Sequence, residues 1–285
     1  MGQKNFLAPA EIAAFCTEVG VKKVAIPKPK AFVLAILAGA FIGFAAFGSN
    51  MAAHNLLADP ATFGLGRCLA GIIFTVGLIM VIVAGAELFT GNTLITVGVL
   101  EKRVTWGAML QNWVLIWIGN LVGSVLIAYL VTSTSLLSSS GSVLGAMTIK
   151  IAVGKVGLDF LPAIFLGILC NWLVCIAVWM SFSAQDVIGK AFACVFPIWL
   201  FVCSGFEHSV ANMTYIPMGL FAKMNETWAE AAIALGVSPE QLDGLTWGSM
   251  MVDNLLPVTI GNIIGGAFFV GTLYWFSFLQ KKKEA

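Results

Sequence analysis

Charged residues are scarce in this chain of 285 residues, because Asp, Glu, Lys and Arg together make up only 10% of it. An average soluble domain carries about 25%. With a mean hydropathy of +0.96, the chain has too little polar surface for a water-soluble globule. The net charge of +1 at pH 7 gives no reason to expect a nucleic-acid partner. The composition therefore predicts an integral membrane protein whose main partner is the lipid bilayer.

Residue patterns that hold metals or cofactors are also lacking. The six cysteines are scattered, and five of them lie in apolar segments, so we expect small buried side chains. We therefore expect no metal and no cofactor. Histidine occurs only twice; His54 is predicted to be solvated in a loop, whereas His208 lies inside an apolar segment.

Long apolar segments make up most of the chain and predict an all-α membrane protein. Six of them suit a hydrocarbon core about 30 Å thick. They cover residues 31–47, 65–100, 106–137, 160–183, 190–220 and 255–279 approximately. Together they predict one six-helix membrane domain, 31–280, with a basic cytoplasmic tail at 281–285.

The N-terminal segment, residues 1–30, is polar and is not expected to be a cleaved signal peptide. Apolar residues at Ile12, Cys16 and Val19 predict a short amphipathic helix. Pro9 favours its start and Gly20 its end.

The distribution of basic residues predicts the orientation, since Lys and Arg stay on the cytoplasmic side. With both termini inside, only Arg67, Lys150, Lys155 and Lys223 of the 15 basic residues fall outside. We therefore expect a multi-pass protein of the cytoplasmic (inner) membrane with both termini cytoplasmic.

An internal repeat divides the crossings into two halves. Residues 85–92, GAELFTGN, share Gly, Glu and Asn with residues 205–212, GFEHSVAN, 120 positions later. We call these segments the first break and the second break. The Ile-Gly-Asn sequence at 118–120 recurs at 260–262. Three crossings per half predict inverted repeats, about 31–137 and 160–280, with the second and fifth helices broken.

Both breaks contain polar residues that are costly in a bilayer. Glu87 and Glu207 either cap freed N–H groups or contact a substrate, and we favour the cap. Asn92 and Asn212 have the same two interpretations, with the same preference.

Three further residues are candidates for a substrate path. His208 has no histidine counterpart in the first break, and we interpret it as a proton donor lining the path. Thr90 either caps its half-helix or contacts substrate. Lys155 either attracts an anion or is simply solvated.

The residues 85–92, 171–175 (NWLVC) and 204–213 resemble those of the formate/nitrite transporters. This resemblance implies an aquaporin-like protomer in a homopentamer, with a central site at His208, Thr90 and Asn171 and with Lys155 in the outer vestibule. It also implies two apolar constrictions. They correspond to Phe74, Leu78 and Phe201, and to Leu88, Phe89 and Val174. The N-terminal helix and the loop after Glu87 are associated with opening and closing in that family.

We therefore expect a channel or transporter that passes a small monovalent weak-acid anion, formate first, together with a proton. Nitrite and hydrosulfide are the alternatives within the family. A neutral-solute channel is a rival, although the paired Asn-Pro-Ala of aquaporin-type pores is absent. An intramembrane enzyme is the other rival, but neither Gly-x-Ser-x-Gly nor His-Glu-x-x-His occurs; no enzymatic activity is expected.

Overall fold

The computed structural model describes residues 6–280, whose regular secondary structure is helical apart from one isolated β-bridge between Phe6 and Ala184. Six helices are long and apolar enough to cross a membrane. They are Lys28–Ala58, Phe63–Gly85, Trp106–Thr132, Phe160–Ser183, Val187–Ser204 and Trp247–Phe278. The six predicted crossings are confirmed, while the predicted basic tail at 281–285 lies outside the described residues.

Fifteen α-helices are numbered here in chain order. They are α1 (Pro9–Ala25), α2 (Lys28–Ala58), α3 (Phe63–Met80), α4 (Phe89–Asn92), α5 (Ile95–Leu100), α6 (Trp106–Thr132), α7 (Val143–Val156), α8 (Phe160–Ser183), α9 (Val187–Ser204), α10 (Ser209–Ala222), α11 (Glu226–Ala234), α12 (Pro239–Gly244), α13 (Trp247–Ser249), α14 (Leu256–Ile263) and α15 (Leu273–Phe278). Wider π-helical turns follow α3 at Val81–Gly85 and flank α14 at Met250–Leu255 and Ile264–Thr272, and a 3₁₀ turn covers Ser135–Ser138.

The halves pack as an inverted repeat. Helix α2 crosses α6 so closely that a Cβ on Gly123 would overlap the carbonyl oxygen of Ile36. Helix α8 crosses α14 in the same way, where a Cβ on Gly261 would overlap the carbonyl oxygen of Ile164. Glycine at both crossings lets the backbones touch, as small residues do between membrane helices.

The expectation for His54 is wrong, because α2 continues to Ala58 and carries this residue on its inward face. His54 is buried. Its Nδ1 lies 2.8 Å from the carbonyl oxygen of Met51, and its Nε2 lies 2.8 Å from Ser140 Oγ. These two hydrogen bonds satisfy both ring nitrogens of His54. A buried histidine is therefore tolerated in α2.

The amphipathic helix α1 begins at Pro9, as predicted, but does not end at Gly20. Gly20 is buried against the backbone of Ile95 in α5, and the helix continues to Ala25. Here the glycine serves close packing rather than helix termination. Arg103 also pairs with Glu18 of α1 at 2.9 Å.

Candidate functional site

Both breaks begin at a glycine with a left-handed backbone. Gly85 has φ of 85° and Gly205 has φ of 83°, a conformation that residues with a Cβ rarely adopt. Extended residues follow, and the chain resumes as α4 or as α10. The residue immediately before the new helix is Leu88 in the first break and His208 in the second.

One buried asparagine holds each break in place. Asn120 Oδ1 accepts from the N–H of Phe89 at 2.9 Å, and its Nδ2 donates to the carbonyl oxygens of Glu87 and Ala35. The side-chain amide of Asn120 thus satisfies backbone groups that the interrupted helix leaves free.

Asn262 makes the equivalent bonds at the second break. It accepts from the N–H of Ser209 at 2.9 Å and donates to the carbonyl oxygens of Glu207 and Gly167. The Ile-Gly-Asn repeat noticed in the sequence therefore supplies the two residues that clamp the breaks.

The carboxylate of the first break lies in a network of four side chains. Glu87 accepts from Lys23 Nζ at 2.8 Å and from Asn92 Nδ2 at 2.8 Å. Asn92 Nδ2 also donates to Asn112 Oδ1 at 2.9 Å. Glu87 is buried, and Lys23, which comes from α1, neutralises its charge.

The second break repeats this network with different helices. Glu207 accepts from Lys155 Nζ at 2.9 Å and from Asn212 Nδ2 at 2.6 Å. Asn212 Nδ2 also donates to Asn254 Oδ1 at 2.7 Å. Lys155 comes from α7, and we infer that α1 and α7 are equivalent, so that each repeat unit includes one short helix before its three crossings.

Two cavities lie on opposite sides of the paired breaks. The first, about 390 Å³, is lined by Lys23, Glu87 and Leu88 and is covered by α1. The second, about 140 Å³, is lined by Lys155, Glu207 and His208. We call them the Lys23 vestibule and the Lys155 vestibule.

Between the vestibules the two breaks touch through side chains that the repeat does not share. Thr90 Oγ1 lies 2.9 Å from His208 Nε2, and both residues are buried. The N–H of Ala211 donates to His208 Nδ1 at 3.2 Å, so the imidazole caps α10. Because Nδ1 accepts, the neutral ring carries its hydrogen on Nε2 and donates it to Thr90.

Asn171 supports this contact from behind. Its Nδ2 lies 3.2 Å from the carbonyl oxygen of Thr90, 3.2 Å from Thr93 Oγ1 and 2.6 Å from the carbonyl oxygen of Asn262. The side chain is fully buried and lines neither vestibule. Its position favours orienting Thr90 rather than touching a permeating molecule.

The six apolar residues of the expected constrictions are all buried. Phe74 and Phe201 pack edge to face with ring centroids 5.7 Å apart, and both line the Lys155 vestibule. Leu78 differs from the expected grouping, since it lines the Lys23 vestibule with Leu88. One helical turn separates Leu78 from Phe74, which moves it about 6 Å along α3.

Lys23, the cation of the first break, is not among the site residues expected from the sequence. It precedes Lys155 by the same 132 positions that separate Leu34 from Leu166. The carbonyl oxygens of these two leucines accept from the N–H groups of Glu87 and Glu207. A repeat search that allowed different spacings before each crossing would have found it.

This chain is similar to known proteins along nearly its whole length. The sequence model described as "Formate/nitrite transporter" matches residues 10–276. A probable formate transporter of Methanothermobacter thermautotrophicus is 38% identical over 97% of this chain and 99% of that protein. The formate channel FocA of Escherichia coli strain K12 is 41% identical over 97% of this chain and 96% of that protein.

Solved structures agree with this similarity. A pentameric formate channel with formate bound aligns with a TM-score of 0.77 and 36% identity, covering 89% of this chain and 98% of that one. An ion channel of the FNT family aligns with a TM-score of 0.78 and 31% identity, covering 94% and 98%.

Proposed function

Because the chain belongs to the formate/nitrite transporter family, we propose that it is a channel passing formate, a small monovalent weak-acid anion, across the cytoplasmic membrane together with a proton. Nitrite and hydrosulfide are the alternative substrates. The observation that carries the proposal is the contact of Thr90 with His208 between two cation-containing vestibules. The curated relatives named formate transporter or channel support formate as the first choice.

A bare anion is expensive to move between the vestibules, because apolar residues surround the narrow part of the path. Phe74 and Phe201 lie on one side of the Thr90–His208 contact, and Leu78 and Leu88 lie on the other. Protonation converts formate to neutral formic acid and removes most of this cost. The energetic problem of the path is therefore solved by one proton.

His208 is the group placed to supply that proton. An imidazolium carries hydrogens on both nitrogens, so Nδ1 must give up the N–H of Ala211 when it takes a proton from water in the Lys155 vestibule. Imidazolium and formate then become imidazole and formic acid, the proton leaving from Nε2 directly or through the Thr90 hydroxyl. The neutral ring that results carries its hydrogen on Nδ1, so the cap of α10 returns only after Nδ1 gives this hydrogen to water in the Lys155 vestibule and Nε2 takes one up.

Thr90 presents a further donor to the substrate. Its oxygen accepts from His208 Nε2, and its own hydroxyl hydrogen has no partner within residues 6–280. This hydrogen is available to a formate oxygen. We assign Asn171 to holding Thr90 in place through the Thr90 carbonyl oxygen.

The buried asparagines of the breaks suit the neutral acid as well as the helix ends. In the part of the chain described, Asn92 Oδ1 and Asn212 Oδ1 are buried without a hydrogen-bond partner. Asn92 lines the Lys23 vestibule and Asn212 the Lys155 vestibule. Each amide oxygen is an acceptor for the O–H of a protonated acid or for a water molecule.

The orientation and assembly follow from charge and similarity. Most basic residues fall on the side of α1, so we assign the Lys23 vestibule, with both termini, to the cytoplasm. A homopentamer with one path per protomer is supported by the similarity to a pentameric formate channel.

Proteoliposomes loaded with a pH indicator test the function. We expect rapid uptake of formate that accelerates as the external pH falls from about 7 to about 5, because each formate enters together with a proton. Nitrite, hydrosulfide and glycerol form the comparison panel. Glycerol uptake as fast as formate uptake would favour the neutral-solute channel and contradict the proposal.

A further inference from the structure

Each vestibule contains a second cation that no carboxylate neutralises. Arg67 of α3 lines the Lys155 vestibule, and Lys190 of α9 lines the Lys23 vestibule. Among residues 6–280, no carboxylate oxygen lies within ion-pair distance of either side chain. We propose that Arg67 and Lys190 are the residues that recruit the permeating anion, Arg67 for the Lys155 vestibule and Lys190 for the Lys23 vestibule.

The charge balance of the vestibules supports this assignment. Lys155 is paired with Glu207, and Lys23 is paired with Glu87, so each pair adds no net charge. Within residues 6–280, Glu87 and Glu207 are the only carboxylates that line the two cavities. Arg67 and Lys190 therefore give each vestibule its net positive charge, and a cleft with low-dielectric walls concentrates counter-ions of opposite sign.

The repeat brings the two cations to related places. The counterpart of Arg67 in the second half is Val187, and Lys190 follows Val187 by three residues on the same helix. Residues three apart lie on one helical face. Both cations thus belong to the first portion of a broken crossing, on the face directed to a vestibule.

Arg67 is fixed closer to the break than Lys190. Its Nε donates to the carbonyl oxygen of Cys203 at 3.3 Å, and its Nη2 donates to that of Val202. These bonds use two of the five guanidinium N–H groups, which leaves three for a ligand. Gly205 makes room for this approach, because a Cβ there would lie 2.9 Å from Nη2.

Arg67 packs against the second break at Gly205, whereas the equivalent place at the first break is open space. No heavy atom lies within 4 Å of a Cβ built on Gly85. The Lys155 vestibule is also the smaller cavity, about 140 Å³ against about 390 Å³. A charge in the smaller cavity lies closer to an anion inside it. We therefore expect Arg67→Gln to slow formate flux more than Lys190→Gln does.

The inference rests on the proposed function, and its test measures formate flux at concentrations far below saturation, with the ionic strength set separately on each side of the membrane. The variants are Arg67→Gln and Lys190→Gln, in vesicles where the channel has one verified orientation. At low ionic strength on both sides, Arg67→Gln is expected to slow flux by about threefold to tenfold, and salt on the Lys155 side should remove the difference from the wild type. Lys190→Gln is expected to slow flux by a smaller factor, and salt on the Lys23 side should remove that difference.

Ionic strength separates recruitment from a purely structural role. At about 1 M of a salt with an impermeant anion, the Debye length is about 3 Å, so the wild type and Arg67→Gln should converge. Arg67→Lys keeps the charge and should retain most of the wild-type flux. Lys150→Gln and Lys22→Gln remove a charge outside both cavities, and neither should change flux in either direction.

Two outcomes would overturn the assignment, and they are distinguishable. If Arg67→Gln forms a normal oligomer but slows flux by the same factor at every ionic strength, Arg67 only caps α9 and recruits nothing. If the wild type passes no formate from either side, the proposed function itself is wrong and the recruiting role fails with it.

Discussion

The two breaks are held in place by equivalent hydrogen bonds, but the residues through which they contact each other differ. Asn120 and Asn262 make the same three bonds, and Glu87 and Glu207 sit in the same network of lysine and asparagine. At the meeting point, His208 stands opposite Leu88 in the repeat, and Thr90 stands opposite Val210. The shared part thus holds the broken helices, and we assign the proposed proton chemistry to the unshared part.

The largest expected effect comes from making the second break like the first. His208→Leu places the first break's residue in the second and removes both the proton donor and the cap of α10. We expect acid-stimulated formate flux to fall by about 100-fold, the lower end of what a positioned acid contributes. The control substitution at the equivalent place in the first break, Leu88→Ala, removes no titratable group; acid stimulation measured in the same flux assay should persist. Equal acid stimulation in His208→Leu would contradict the assigned role.

Thr90→Val gives the first break the residue found at the equivalent place in the second. The substitution removes the hydroxyl that accepts from His208 Nε2 and is free to donate to formate. Flux should fall by about tenfold, since an unpaired buried donor costs about 1–3 kcal/mol. Thr90→Ser restores the hydroxyl and serves as the matched control; if it is as slow as Thr90→Val in the same assay, the hydroxyl is not the determining group.

Asn120→Ala and Asn262→Ala remove the equivalent hydrogen bonds that hold the two breaks in place. Each removes three bonds to buried backbone groups. We expect each to lower the free energy of unfolding by about 2–4 kcal/mol, because two or more backbone groups lose their partner. Denaturation followed by tryptophan fluorescence measures this. Strongly unequal losses would mean that the halves are not held equivalently.

The smallest expected effect is a difference in amide hydrogen exchange between α1 and α7. Glu87→Gln removes the ion pair that ties Lys23 to the first break, and Glu207→Gln does the same for Lys155. Faster amide hydrogen exchange is expected in α1 of the first variant, since α1 packs mainly on α5 and α8, whereas α7 packs on α2, α10 and α11. Helix α7 lies between α6 and α8 and should be little changed in the second variant. Faster exchange in α7 of Glu207→Gln, without faster exchange in α1 of Glu87→Gln, would contradict this expectation.

Much of the fold could be predicted because the bilayer imposes it. Long apolar segments predicted the crossings, and glycine followed by glutamate located both breaks. Helices α7, α11 and α12 were not predicted, because they are too short or too polar to register as crossings. His54 was misplaced for a related reason, since its partner Ser140 belongs to a distant turn.

The site was only partly predictable. His208 and Thr90 stand out because the repeat does not reproduce them, and their contact lies between residues 118 positions apart. Asn171 was expected at the path, yet the structure directs its amide to the carbonyl oxygens of Thr90 and Asn262. Side-chain direction depends on three helices packing together, and no single segment encodes it.

The proton-to-formate stoichiometry of His208→Asn tests the division of roles most directly. Asparagine is a good N-cap, so this variant keeps α10 capped while removing the titratable ring. Formate and proton uptake are measured together in proteoliposomes at about pH 5. We predict one proton per formate in the wild type and loss of this coupled uptake in His208→Asn. Undiminished uptake of one proton per formate in the variant would contradict the assignment of the proton chemistry to His208.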